Sequence, residues 1–316
     1  MSHVPSSHPL NAPLLTFALP VRNGERLLPQ LFDSLLAQDF TDFEVVISDN
    51  ASTDRTEAIC QEYAQRDSRV RYYRNPENIG QMPNFNRLID LARGKYMRWI
   101  GWDDWLEPSY ARKCVDLLEA RPDVIGVTTY QDFLEDDGSR DYAEYTGPRL
   151  DYAEVHKRYQ RMVWFMTNDF RFMDPIYTMI RRDVLVKTGG HKPGLCSDQA
   201  LAIEFSVLGG FAHIPECLAH RGKAPYASMT RDQLLKQNFQ NQFHLVKNLT
   251  PLSNVVAFWE PLNRHNVSLG TKVRCIPAIA TYAWIVGRGY FLDLVRSWLR
   301  PVKRTVTRSV LALTRA

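Results

Sequence analysis

Four polar clusters follow apolar runs in this chain, and their residue types can do chemistry: Pro20-Val21-Arg22-Asn23, Asp49 to Asp54, Asn75 to Asn86, and Gly101-Trp102-Asp103-Asp104. The adjacent carboxylates are the sharpest signal. Asp103 and Asp104 repel each other unless a positive charge lies between or beside them. A divalent cation bridging a diphosphate supplies that charge, since Mg²⁺ and Mn²⁺ take oxygen ligands and often only one or two from protein. Capping the helix that begins near Pro108 is the competing use. Asp49 ends the apolar run Glu44–Ser48, where a carboxylate can accept from a nucleobase imide N–H. Ser52 or Asp54 can cap the next helix, which leaves Asp49 for a ligand. Trp102 and Trp105 flank the carboxylates in a turn, where an aromatic face can stack on apolar C–H groups of a ligand or simply pack. Trp99, on a strand, is expected in the core. A GxSxG nucleophile elbow and a GxxxxGKS phosphate loop are both missing from the sequence.

The frame that must hold these clusters alternates strand and helix. Leu14–Pro20, Glu44–Ser48, Val70–Tyr73, Tyr96–Ile100 and Val124–Thr129 read as strands. Between them, residues 27–37, the stretch after Thr53, Pro83–Ala92 and Ser109–Ala120 carry helical spacing. Repeated β-α-β units predict an α/β fold with a mainly parallel sheet and helices on both faces. Ligands in such sheets bind at the carboxyl ends of the strands, where the polar clusters fall. After Asp132 the alternation breaks. Glu135 to Gly138 reads as a turn between short strands, and residues 150–170 as a helix whose Trp164, Phe165 and Met166 are expected in a core.

These residues also carry a resemblance. From about Leu14 to Arg221 the chain resembles the family 2 glycosyltransferases, inverting enzymes of GT-A fold that use nucleotide-diphospho-sugars. Leu19 to Glu25 resembles that family's first strand and turn, which implies donor contacts from Pro20, Arg22, Asn23 and Glu25. Val45 to Thr56 resembles the signature whose first Asp, here Asp49, holds the base. Asn78-Ile79-Gly80, Asn86 and Gly94-Lys95-Tyr96 resemble the stretch before the metal motif, implying donor contacts from Asn78 and Asn86. Ile180-Arg181-Arg182, Gly189-Gly190, Ser197-Asp198 and Gly209-Gly210-Phe211 resemble the acceptor half and its base-bearing motif, which assigns the general base to Asp198. A helix N-terminus favours the ionised form of a carboxylate placed there, as a base requires. The chain departs from the pattern twice. Gly101 stands where the first Asp of Asp-x-Asp is usual, which leaves the metal to Asp103 with Asp104 as helper. Ser197 replaces the usual Glu. The His that often follows the last motif is also missing; His220 is the nearby substitute, with a structural role the competing use.

The resemblance implies a nucleotide-sugar-binding half over 14–130, an acceptor-binding half over 131–222 and a C-terminal helical, basic extension over 223–316. The Ser/Pro/His-rich start, 1–13, is expected to be a disordered tail. The implied cofactor is Mn²⁺ or Mg²⁺. The implied partners are a nucleotide-sugar donor, expected to be UDP-linked, and a saccharide or lipid-linked acceptor in polysaccharide assembly. Two rivals remain. A sugar nucleotidyltransferase would open with a Gly-rich loop carrying Arg and Lys, and Leu19–Glu25 has only Gly24. A catalytically weak sugar-nucleotide-binding subunit is made thinkable by Gly101 and opposed by Asp103 and Asp198.

Composition bounds the rest. The 316 residues are 45% hydrophobic and 23% charged, enough to bury a large core. Net charge is +4, but Thr271 to Ala316 hold nine Lys/Arg against Asp293 alone, a local +8 that leaves −4 elsewhere. An acidic body argues against nucleic acid as a partner. Five scattered cysteines without a CxxC pair suggest neither disulfides nor zinc, and a cytoplasmic location follows as the expectation. From Phe291 onward, apolar residues at three- and four-residue spacing run opposite Arg296, Arg300, Lys303, Arg304 and Arg308. Such a helix suits an anionic membrane surface, so residues 289–316 are expected to place the protein peripherally on the inner face of a membrane.

Overall fold

The apolar run Leu15–Val21 (β1) and its counterpart Phe43–Asp49 (β2) are buried at all seven positions each. Burial on both faces requires cover on both sides of the sheet. In the computed structural model, which describes residues 12–134, 138–142, 144–194, 197–222, 231–238 and 251–288, helices provide it. Along the chain follow α1 (Leu28–Leu36) before β2, then α2 (Thr56–Arg66), β3 (Val70–Arg74), α3 (Gln81–Leu91), β4 (Tyr96–Trp99), β5 (Trp105–Leu106) and α4 (Tyr110–Ala120). The second half holds β6 (Val124–Leu134), β7 (Arg140–Tyr142), α5 (Val155–Asn168), β8 (Met179–Arg181), α6 (Arg182–Thr188), α7 (Ser197–Leu208) and β9 (Gly210–Arg221). Beyond it lie α8 (Arg231–Asn238), α9 (Pro251–Arg264) and α10, residues 269–288.

The sheet order is β3-β2-β1-β4-β8-β6-β9-β5, with β7 paired to β6. Strands β1 to β4, β6 and β9 run one way, and β5, β7 and β8 run against them. The expected mainly parallel α/β sheet is therefore present. One core lies under α1 and α4, built from Phe17, Leu19, Leu31, Phe32, Leu35 and Leu118. The other lies under α3, α5 and α7, built from Phe85, Leu88, Trp99, Phe165, Ile203 and Phe205. Trp99 is 1% exposed and its indole N–H donates to the Phe85 carbonyl, as its strand position predicted.

Phe258, Leu262, Cys275, Ile279 and Tyr282 also belong to that second core. The Tyr159 hydroxyl donates to the Phe258 carbonyl at 2.9 Å and the Tyr282 hydroxyl to Gln199 Oε1 at 2.6 Å. Buried Glu204 on α7 accepts from Lys192, Arg264 and His265 at 2.8–3.0 Å. The described part of the expected C-terminal extension thus completes the second core, because α7 has apolar surface on the side that α5 leaves open. The basic segment 289–316 and the tail 1–11 lie outside the described residues.

One buried charge stands out. Arg98 on β4 is 1% exposed, lies 4.3 Å from the Tyr110 ring centroid, and its guanidinium meets no acceptor in hydrogen-bond geometry among the described residues. A buried charge without an ion partner costs more than an apolar side chain of similar length. Arg98→Met is expected to raise stability by about 1–3 kcal/mol, read from thermal unfolding. A lowered midpoint would show that the stacking on Tyr110 outweighs desolvation.

Candidate active site

The carboxyl ends of β1, β2 and β4 open onto a cleft of about 490 Å³, lined among others by Pro20, Arg22, Asn23, Asn50, Asn78, Asn84, Trp102, Asp103 and Asp104. Tyr177, Arg221 and Gly222 close it from the second half, and Gln233, Lys236 and Gln237 of α8 stand at its edge. The turns after β1 and β2 are laced together. Asn23 adopts φ 55°, its side-chain oxygen accepts from Thr53 N at 2.9 Å, and its own N–H donates to Ser52 Oγ at 3.0 Å. A left-handed Asn is tolerated because its short side chain bonds locally. Glu25, expected at the donor, is absent from the cleft lining. Its carboxylate instead accepts from Arg55 N at 3.0 Å, which locks the two turns.

Asp49 is not left free. It has no solvent exposure. One oxygen accepts from Ser52 N and Oγ at 2.9 and 2.5 Å; the other accepts from Tyr72 OH at 2.7 Å and Arg74 Nη1 at 2.6 Å. The residue expected to relieve Asp49 of capping, Ser52, is itself bonded to it. Asp49 lies behind the cleft wall, not in the lining. Asp49→Ala is expected to cost about 2 kcal/mol, since four donors lose their acceptor while Arg74 keeps access to water. Urea unfolding reads this out, and an unchanged midpoint would show the bonds to be expendable.

Asp104 is likewise committed. It is 3% exposed; Oδ2 accepts from Gly101 N at 3.0 Å, and Oδ1 accepts from Arg221 Nε and Gly222 N, each at 3.1 Å. Its expected role as metal helper is corrected, because the positive charge beside the paired carboxylates is Arg221. That guanidinium also bonds Asp174 at 3.1 Å and lies 3.5 Å from the Tyr177 ring centroid. Burial works against its charge, and Asp104 and Asp174 more than offset that. Gly101 has a structural reason: a Cβ there would lie 2.9 Å from Asp104 Oδ2 and 3.0 Å from Asp103 Oδ1. Asp103 differs. It lines the cleft, and burial, then the charge of Asp104, push its carboxyl up to about 6 against the pull of Arg221. An arriving cation relieves that cost, so the residues present fit a divalent ion held by one carboxylate and completed by a diphosphate.

Asp198 stands in the first turn of α7 with 57% of its side chain accessible. Its carboxyl is nonetheless pushed up to about 7, first by the surrounding protein displacing water and then by Asp174, with Arg221 opposing. His191 Nδ1 lies 3.3 Å from Asp198 Oδ1 and 3.3 Å from Ser197 Oγ. Burial holds that imidazole down to about 3, so it is neutral. Asn86, expected at the donor, is spent here and not on the cleft. Its amide oxygen accepts from His191 N and its amide nitrogen donates to His191 O, both at 2.7 Å. The clamp leaves no room for a Cβ at Gly190, which sits at φ 73° with Asn86 Oδ1 2.2 Å from that point.

Of the two tryptophans, Trp102 lines the cleft and Trp105 does not. Trp105 stacks on His220 with centroids 5.1 Å apart, with Arg140 4.2 Å from its ring centroid, so its faces are used. His220 is bonded at both nitrogens, to Asp132 and Glu107 at 2.9 Å each. Asp132, Cys217 and His220 bring possible ligand atoms within 4.8 Å of one another. Arg140 pairs with Asp132 there at 2.6 Å, which makes the cluster a poor cation site. Sequence reasoning missed Arg221, Asp174 and Tyr177 as site residues. Arg221 was visible only as the end of the last motif, with nothing to announce its partner.

The profile described as Glycosyl transferase family 2 matches residues 16–189. Glycosyltransferase GlyA of Streptococcus pneumoniae is 30% identical over 124 residues, 39% of this chain and 18% of that relative. The chain spans less than half the length of the first curated relatives it matches. TarS of S. aureus in complex with UDP-GlcNAc superposes with TM-score 0.55 at 15% identity, covering 86% of this chain and 81% of that one. Mannosyltransferase PcManGT of Pyrobaculum calidifontis, in complex with GDP-Man and Mn²⁺, gives TM-score 0.50 at 18% identity, covering 92% and 84%. At these identities the two structures establish a shared GT-A fold.

Proposed function

The chain belongs to glycosyl transferase family 2, and we propose that it moves a sugar with inversion from a UDP-linked donor to a saccharide or lipid-linked saccharide acceptor in cell-surface polysaccharide assembly. The observation that carries this reading is the cleft itself. Asp103 and Arg221 lie close together in its lining, and the charge of Arg221 reaches Asp198, which itself stands outside the lining. Its volume falls in the range of small-molecule sites. The UDP-GlcNAc in TarS supports the choice of nucleotide.

Pro20, Arg22, Asn23 and Asn78 would contact the donor, with Glu25, Asp49 and Asn86 holding the segments that carry the site. Inversion requires an acceptor hydroxyl to attack the anomeric carbon from the face opposite the leaving diphosphate. Asp198 accepts the hydroxyl proton as the new bond forms, and a carboxyl near 7 is matched to that work. Trp102 can stack on a sugar ring at the cleft wall. A divalent cation on Asp103, as Mn²⁺ accompanies GDP-Man in PcManGT, would supply Lewis-acid neutralisation of the diphosphate. The basic segment 289–316 would bring the site to an anionic membrane.

A thermal-shift panel of UDP-, GDP- and dTDP-sugars with Mn²⁺ tests the donor assignment. A UDP-sugar is expected to raise the midpoint most. A larger shift with GDP- or dTDP-sugars would reassign the nucleotide, and no shift with any would remove the donor reading. Turnover with and without saccharide acceptors separates a transferase from a binding subunit.

A further inference from the structure

Helix α10 is apolar on two opposite faces, and among the described residues only one of them meets protein. Cys275, Ala278, Ile279 and Tyr282 enter the core under α7. On the other side Leu269 is 77% exposed, Val273 54%, Ile276 47% and Trp284 71%, at three-, four- and eight-residue spacing with exposed Ala280 filling the gap. Most large exposed apolar residues among the described ones lie on α9 and α10. A helix that is apolar all round is normally covered all round. The stripe is about 22 Å long from Leu269 to Trp284 at 1.5 Å per residue.

We infer that this outer face of α10 docks on an anionic lipid surface, lying in the interface with Leu269, Val273, Ile276 and Trp284 among the acyl chains. Charge selects this occupant. Lys272 lies along one edge of the stripe and Arg274 and Arg288 along the other, and residues 265–288 contain no acid. Long cationic side chains beside an apolar strip reach headgroup phosphates while their stems stay in the apolar layer. A second copy of the chain, docked through the same face about a two-fold axis, would set these cations against each other with no carboxylate from the stretch to balance them. After Arg288 come six more Lys/Arg and Asp293 alone, so the sign of the charge continues along the chain. No described helix is long and apolar enough to cross a membrane, which makes the contact a surface one. The surface is distinct from residues 289–316, and it is built on a helix that the core holds rigidly.

The test is vesicle flotation with the full chain, its basic C-terminal segment intact. Vesicles of phosphatidylcholine with roughly a quarter phosphatidylglycerol are compared with phosphatidylcholine alone. Wild type is expected to float with the anionic vesicles, and Ile276→Asn/Trp284→Asn to lose at least about tenfold in partitioning. Trp284→Ser alone should show a smaller loss, and donor turnover without lipid should match wild type in both, which shows that they fold. Equal flotation of the double variant and wild type overturns the inference and leaves the segment after Arg288 to carry binding. So does a lipid-free dimer, seen by light scattering, that the double variant abolishes, because the face then belongs to a second copy.

Discussion

Asp198→Asn is expected to fold with a melting temperature near wild type, bind donor normally and transfer sugar about 10²–10⁴-fold more slowly. The size of the loss follows from removing proton transfer alone. Asn has the shape of Asp and loses only the interaction of a first-turn charge with the helix N-terminus, so the stability cost stays at about 0.3–1 kcal/mol. More than half of the Asp198 side chain is accessible, which also limits the effect on packing. The pH profile carries independent information. The base must be ionised, and its carboxyl is pushed up to about 7. In wild type kcat/KM should therefore rise with pH through about 7 and level off above it. In the variant the residual rate should lose that limb. A folded Asp198→Asn enzyme with near-normal transfer would reduce Asp198 to a helix-stabilising first-turn acid and leave the base unassigned.

Asp103→Ala is expected to abolish the enhancement of donor affinity by Mn²⁺ and to lower turnover by roughly 10²–10³-fold or more, since charge developing on the diphosphate loses its preorganised partner. Stability should move the other way. Burial and Asp104 raise the Asp103 carboxyl to about 6. A carboxyl raised above its unfolded value binds protons more tightly when folded, so the protein loses stability as pH rises from about 4 to 6. Asp103→Asn keeps the volume and removes this loss, so its advantage in Tm over wild type should grow across that window. Donor titration with and without Mn²⁺, beside melting curves at pH 4.5 and 7, reads both effects. Full turnover of wild type in EDTA would sink the metal assignment.

Much of the frame was legible because it depends on local periodicity. Alternating apolar runs and helical spacing placed β1, β2, β4, α3 and α4 within a few residues of their observed ends. Strand-end positions pointed to the cleft for Pro20, Arg22, Asn23, Asn78, Trp102 and Asp103, all of which line it. Glu25 and Asn86, implied at the donor by the resemblance, and Trp105, read from its place beside the carboxylates, do not line the cleft. Each has the right residue type near the right strand, but its polar atoms or ring faces meet a partner from another segment. β5 was missed for a similar reason, since two residues carry no periodicity and pair only because β9 lies beside them.

The sequence by itself determined the α/β alternation, the carboxylates placed at strand ends and the basic character of the last forty-odd residues, because hydrophobic period and formal charge are written locally. Tertiary structure alone decided which carboxylates are free. Asp103 and Asp104 are neighbours in sequence and alike in chemistry, yet Asp104 is neutralised by Arg221, 117 positions away, once the sheet order brings the end of β9 beside the turn after β4. Asn86 and His191, 105 positions apart, meet for the same reason. Compensation of a buried charge depends on distance in space, and that distance exists only after the sheet has formed.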